Sequence, residues 1–425
     1  MSASPLFVAY RAATTIMEPV GRPFLGWRLS RGKEDAGRLG ERLGHAGRPR
    51  PAGTLVWLHG ASVGEGVSLL PLVDAFLARG VGVLLTTGTL NSARVLAGRL
   101  PSGVIHQFVP LDLPGAVRRF LAHWRPNLAV LAESELWPNL VDALHRAAVP
   151  LALVNARMSE RSARRWAKAP GFIGALLGRT ALCLCQTEAD AARYRGLGAG
   201  RVAVAGLLKY DVPAPGADPD AVASFLAAVG SRPLWIAAST HADEEKDLLD
   251  AHLALCRDVP EALTVVAPRQ PNRGAAILAE AQRRGIAVAL RSRGDTLHAG
   301  IALYVADTLG ELGLWYQAAD LVFVGNSLLP PGGGQNPIEP ARLGCAVLHG
   351  PHTQNFTDVY PALDQAGGAA QVEDATHLAE AVATLLADPA RLRTMARAAS
   401  DVVEGQGGAT DRTMAALAPY LASAA

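Results

Sequence analysis

A chain of 425 residues, half of them hydrophobic, exceeds what one core usually organises, so two α/β domains are expected. Its 40 basic and 38 acidic residues leave a formal charge of +2, too balanced for a nucleic-acid coat, although basic groups can still crowd locally. Cys183, Cys185, Cys256 and Cys345 form no CxxC pair or metal-ligand spacing, and no HExxH motif occurs, so the cysteines read as buried thiols and no metal site is expected.

The first stretch, SPLFVAYRAATTIMEPVGRPFLGWRL, is apolar and aromatic but interrupted by Arg11, Glu18 and Arg22. It therefore falls short of the roughly 20 apolar residues of a spanning helix. Arg11 also sits where a signal peptide needs its apolar core. Two readings remain. In one, Phe7, Tyr10, Phe24 and Trp27 lie at headgroup depth while Arg11, Arg22, Arg28, Arg31 and Lys33 meet anionic lipid. In the other, this is an ordinary amphipathic helix packed on its domain.

After this lead-in, residues 1–50, short aliphatic runs alternate with longer amphipathic ones: TLVWLH, VSLLPLVDAFLARG, VGVLLTT, NSARVLAGRL, VIHQFVP, PGAVRRFLAHW, LAVLAE, NLVDALHRAA, PLALVNA. Repeated βα units predict a parallel sheet covered on both faces over 51–209. A Pro-, Gly- and Asp-rich stretch over 210–220 predicts a linker. PLWIAAS, ALTVVAPR, IALYVAD, DLVFVGNS and CAVLHGP then restart the rhythm, predicting a second doubly wound domain over 221–425 that includes the C-terminal helices.

Ligands of such sheets sit beyond the carboxyl ends of the strands, which directs attention to the loops there. Glu65, in WLHGASVGEG, follows the first strand and opens a helix, where it either complements the helix dipole or does chemistry. Glu133 and Glu135, in LAESELWPN, follow another strand; alternation predicts that both point the same way while Ser134 points away. Arg157, Arg161, Arg164 and Arg165 recur at helical spacings and suit an anionic acceptor, or else form a solvated face paired with Glu160. In the second half, Ser239, Thr240, His241, Arg269, Asn326 and Ser327 place hydroxyl, amide and guanidinium donors after strands. The glycine run including Gly333 and Gly334 is expected to free backbone amides for a phosphate, with Asn336 and Glu339 at the following helix start and Glu339 placed to accept from a ribose. Neither GxGxxG nor GxxxxGK[ST] occurs.

HGASVGEG, TTGTLNSA, FVPLDLPGAVRRFL, ESELWPNL, VNARMSERS, GLLKYD, APRQPNR, ADTLGELGLWYQAADLVFVGNSL, GGGQNPIEPA and GPHTQNF follow one another in the order in which the Kdo transferases carry them. Over about residues 54–360 the chain resembles that family. The resemblance implies a GT-B architecture of two Rossmann-like domains facing across a cleft. It implies inverting, metal-independent transfer of 3-deoxy-D-manno-octulosonic acid (Kdo) from CMP-Kdo to a lipid A precursor, with no cofactor, at the cytoplasmic face of a bacterial inner membrane. By the same resemblance Glu65 is the catalytic base and Glu133 a second essential acid. Arg269, Asn336 and Glu339 fall on positions that face CMP. The acceptor belongs to the first domain, the donor to the second, and closure of the two about 209–215 would exclude water. A glutamate is a weak base, so partial desolvation of Glu65 is expected.

The chain departs from the family pattern where Gln270 and Gln335 replace the usual histidines, where Asn326 stands at a common glycine, and where the glycine loop is a residue longer. Two alternatives are a GT-B transferase or epimerase using a UDP-sugar, and a noncatalytic membrane-bound relative.

Overall fold

The computed structural model describes residues 4–422 and divides into two compact α/β units. The first contains the described residues up to Val212 and those from Gln406 onward; the second is Pro213–Gly405.

In the first unit the aliphatic runs form β1 (Leu55–Gly60), β2 (Gly82–Thr87), β3 (Ile105–Phe108), β4 (Leu128–Ala132), β5 (Leu151–Ala156), β6 (Leu182–Cys185) and β7 (Val202–Val204). They pair in parallel in the order β3-β2-β1-β4-β5-β6-β7. Every residue of β1 is buried, as expected of a strand covered on both faces. Alternate residues serve opposite cores: Trp57 packs with Phe120, Trp124 and Leu140, and Leu58 with Leu72, Val73 and Phe76. The crossovers diverge between β1 and β4, leaving a crevice at their carboxyl ends.

The second unit repeats the plan with β8 (Leu234–Thr240), β9 (Leu263–Pro268), β10 (Val288–Leu290), β11 (Leu303–Val305), β12 (Leu321–Val324), β13 (Ala346–His349) and β14 (Ala369–Gln371). Their order, β10-β11-β9-β8-β12-β13-β14, puts the topological switch between β8 and β12.

The expected boundaries need correction at both ends of the second unit. Leu208 and Tyr210 are buried in a 3-10 turn of the first unit, so the connecting stretch begins after Val212 and ends where the helix Pro219–Val229 starts. It is not loose: a Cβ on Gly313 would lie 2.3 Å from the carbonyl oxygens of Pro215 and Gly216. The last helix, Ala409–Ala422, belongs to the first unit and not to 221–425. Met414 and Leu417 fill the core beside Leu58, Arg412 donates to the Ala205 carbonyl at 2.8 Å, and the Tyr420 hydroxyl donates to Ala181 O at 3.0 Å. Asp211 accepts the Gly408 N–H at 2.7 Å.

The lead-in folds as helices Pro5–Ile16 and Gly21–Ser30, part of which packs on the domain. Phe7 is buried against Phe172 and under the Arg179 guanidinium, the Tyr10 hydroxyl donates to Asp112 at 2.9 Å, and Arg11 and Arg28 pair with Asp142 and Glu34. Those four residues are therefore occupied by packing, contrary to the lipid-facing expectation. Phe24 and Trp27 are exposed and stacked on each other, and Leu6, Val8, Ile16, Met17 and Val20 of the lead-in are exposed as well. Among the described residues no helix is long and apolar enough to cross a membrane.

Candidate active site

Glu65 is set at the end of β1 by sequence-local chemistry. Gly60 leaves no room for a side chain, since a Cβ there would lie 2.7 Å from Gly66 N, and this approach lets the helix Val63–Ser68 start directly on the strand end. Ser62 caps that helix, accepting the Glu65 N–H at 3.3 Å. In return the carboxylate accepts the Ser62 hydroxyl at 2.7 Å on Oε1 and the Ala61 N–H at 2.8 Å on Oε2, an exchange like a capping box but reaching one residue before the cap. The half-buried carboxylate is thereby oriented while each oxygen retains a lone pair. Capping and chemistry are compatible uses of one side chain.

Glu133 follows β4 across the switch point, with φ of 56°. A left-handed backbone at a non-glycine residue costs about 1–2 kcal/mol and turns the chain out of strand alternation. Glu133 therefore departs from the strand alternation on which a common direction with Glu135 was expected. Burial, reinforced by the charge of Glu65, pushes the Glu133 carboxyl above the ordinary glutamate range, against the pull of Lys209 and Arg157. Lys209 is displaced downward by burial, with Glu133 and Glu65 opposing that shift. Glu65, Glu133, Arg157 and Lys209 thus form one electrostatic group. Glu135, whose charge also raises Glu133, lies 3.7 Å from His59 Nε2 and accepts the Trp137 indole N–H. Burial alone would raise its carboxyl, but His59 and Trp137 outweigh it and hold the group below the usual range.

The arginine cluster divides. Arg157 belongs to the Glu133 group, and Ser134 donates its hydroxyl to the Arg157 carbonyl. Arg161, Arg164 and Arg165 lie exposed on the short helix Glu160–Trp166, where Arg164 pairs with Glu160 as a solvated face would. Lys209 was missed as a site residue although GLLKYD was legible, because the stretch around it reads as a linker.

In the second unit Ser239, Thr240 and His241 lie at the end of β8 and Asn326 and Ser327 after β12, the strands of the switch point, while Arg269 follows β9. Ser239 and Asn326 both have left-handed backbones, φ 57° and 56°, and asparagine is the residue that best replaces glycine in that conformation. The buried carboxylate of Glu244, which the sequence did not single out, joins the strand ends: it accepts N–H groups of His241 at 3.0 Å, Asn326 at 2.5 Å, and Ser327 and Leu328 at 3.3 Å. Ser327 is fully buried, its hydroxyl donating to Val324 O at 2.6 Å and accepting Gly350 N–H at 2.8 Å, so it supports the loop. Arg269 is exposed, its N–H bonded to Thr240 O at 2.9 Å. Thr240 Oγ1 is buried without a hydrogen-bond partner.

The glycine loop corrects an expectation. The Gly333 N–H donates to His352 O at 3.2 Å, Gly334 N–H to Asn326 O at 2.7 Å and Gln335 N–H to Gly325 O at 3.0 Å. These amides are engaged within the protein and do not form a vacant anion nest. Gly333 is needed for its backbone, with φ of 139° and a Cβ position only 2.5 Å from Asn355 Nδ2. Asn336 accepts the Ile338 N–H at 3.1 Å and so caps the following helix, which begins beside Glu339. What the loop presents instead is Gln335, whose side-chain nitrogen lies 3.1 Å from His241 Nε2.

Two seven-stranded parallel sheets, each reversing its strand order at a switch point, define a two-domain α/β fold. A UDP-GlcNAc 2-epimerase from Neisseria meningitidis, bound to UDP-GlcNAc, has this fold with a TM-score of 0.59 at 14% identity, covering 86% of this chain and 100% of that one. Residues 37–212 match the family model described as 3-deoxy-D-manno-octulosonic-acid transferase (kdotransferase). The 3-deoxy-D-manno-octulosonic acid transferase of Bordetella pertussis is 39% identical over 89% of this chain and 91% of its own length. That of Haemophilus influenzae is 31% identical over 97% and 98%. The chain belongs to the 3-deoxy-D-manno-octulosonic acid transferase family, and it is a glycosyltransferase.

Proposed function

We propose that this chain transfers Kdo from CMP-Kdo to a hydroxyl of a lipid A precursor with inversion at the anomeric carbon, without a metal, at the cytoplasmic face of a bacterial inner membrane. The observation that carries this reading is Glu65: a half-exposed carboxylate, oriented by Ala61 and Ser62 and electrostatically coupled to Glu133 and Lys209. In the reaction Glu65 takes the proton from the acceptor hydroxyl as its oxygen bonds to the anomeric carbon. The bond from that carbon to the phosphate oxygen breaks, and CMP leaves with the electron pair. General-base assistance of this kind contributes roughly 10²–10⁴-fold.

The donor is assigned to the second unit, where Arg269, His241 and Gln335 offer groups for a phosphate and a base, with Asn326 and Glu244 holding their loop. Arg157 and Lys209 supply positive charge near the acceptor's reacting end. Exposed Phe24 and Trp27, with Arg31 over the Trp27 ring at 5.2 Å, suit the bilayer interface. Incubation with CMP-Kdo and a tetraacylated lipid A precursor, read by mass spectrometry, is expected to show one or more Kdo additions, unchanged by a chelator. Transfer only from a UDP-sugar, or none, would contradict the reading.

A further inference from the structure

A cavity of about 280 Å³ opens in the first unit between the helix Gly21–Ser30 and the carboxyl end of β1. Phe24, Val109, Leu111, Val117, Trp137 and Leu140 make most of its wall apolar. Its charged lining groups already have partners. Glu34 holds Arg28 at 2.6 Å and Arg42 at 3.0 Å; Asp112 accepts the Tyr10 hydroxyl and the N–H groups of Asn139 and Leu140; Glu135 accepts the Trp137 indole N–H. His59 faces Glu135 at ion-pair but not hydrogen-bond distance. Its ring is fully buried, its Nδ1 lies 2.9 Å from the Thr86 hydroxyl, and its Nε2 reaches no hydrogen-bond partner, the nearest carboxylate oxygen being 3.7 Å away on Glu135. A buried imidazole nitrogen without a partner is costly unless something fills the position.

The cavity also connects two features. At its outer side Phe24 is exposed and stacked on Trp27. At its inner side it touches Ala61, whose N–H binds Glu65. We infer that it takes an alkyl chain of a lipid acceptor, with the first oxygen-bearing group of that chain on His59 Nε2. The volume lies near the lower end of the roughly 300–1,000 Å³ of ligand pockets, which fits one chain segment and not a whole amphiphile. A phosphate is a poor occupant, because three carboxylates, Glu34, Asp112 and Glu135, line the cavity against two guanidiniums, Arg28 and Arg42. This inference rests on the proposed lipid acceptor.

The test uses the full chain and octyl glucoside below its critical micelle concentration, with 1-octanol and glucose as separate arms, followed by titration calorimetry. One saturable site is expected for octyl glucoside and for octanol, and none for glucose. Val109→Trp and Leu111→Trp, at half-buried positions on the wall, are expected to weaken octyl glucoside at least ten-fold while CMP binding, which reports a folded chain, is unchanged. His59→Phe is expected to weaken octanol about five-fold, the loss of one hydrogen bond of about 1 kcal/mol. Equal binding by both tryptophan variants, saturation by glucose alone, or no saturable site would overturn the inference. Kdo transfer to lipid in a chain that binds no alkyl group would sink only this inference. Alkyl binding by a chain that transfers no sugar would sink the proposed function instead.

Discussion

Glu133, Ser239 and Asn326 each have a left-handed backbone, Ser239 within the end of β8 and the other two just past a strand, and each was singled out from sequence by its place at an apolar run's end. Their conformation was not legible there, because nothing local distinguishes a strained turn from an ordinary one. Asn326 is where strain can be separated from contact. Asn326→Gly is expected to leave stability within about 0.5 kcal/mol, whereas Asn326→Val should lose roughly 1–3 kcal/mol, both read from urea midpoints. Glu133 gives a titration test. Its carboxyl is displaced upward by burial and by Glu65, so its ¹³C resonance should titrate above the ordinary glutamate range. In Glu65→Gln the inflection should move down, since a neutral amide no longer opposes ionisation; an unmoved inflection would show the two acids to be uncoupled.

At the scale of elements, the alternation of aliphatic and amphipathic runs made both sheets legible, because parallel strands buried on two faces are continuous apolar segments. Three features escaped. The last helix returns to the first unit through Met414, Leu417, Arg412 and Tyr420, contacts with residues about two hundred positions earlier in the chain. The glycine loop reads as an open anion cradle until its amides are seen bonded to carbonyls of 325, 326 and 352. Glu244 lies in an unremarkable acidic run, and its role depends on a strand end more than eighty residues away. Glu244→Gln retains one acceptor oxygen and faces an NH₂ toward backbone N–H groups, so a loss of about 1–3 kcal/mol and weaker CMP binding are expected. Each unit also contains a histidine lowered by burial from 6.5 to about 4, His106 in the first and His252 in the second. The unfolded chain takes up these protons first, so stability should fall as pH drops from 6.5 toward 4, by at most roughly 3 kcal/mol for each. Urea midpoints of His252→Gln should decline less steeply across that window than those of the parent.

For the whole molecule, the proposed division of labour rests on two switch points, with Glu65, Glu133, Lys209 and Arg157 at one and His241, Asn326, Gln335 and the buried Glu244 at the other. The family motifs pointed to Glu65 and Glu133, which belong to one electrostatic group. The exposed aromatic surface of the lead-in adds a test of location. Phe24→Ser with Trp27→Ser is expected to release the chain from anionic vesicles in a sedimentation assay while sparing CMP binding. The most direct test of the account is single-turnover Kdo transfer by Glu65→Gln, with CMP-Kdo affinity measured on the same preparation. The account predicts affinity within about two-fold of the parent and transfer slower by roughly 10²–10⁴-fold. Transfer within a few-fold of the parent rate, at undiminished affinity, would contradict it.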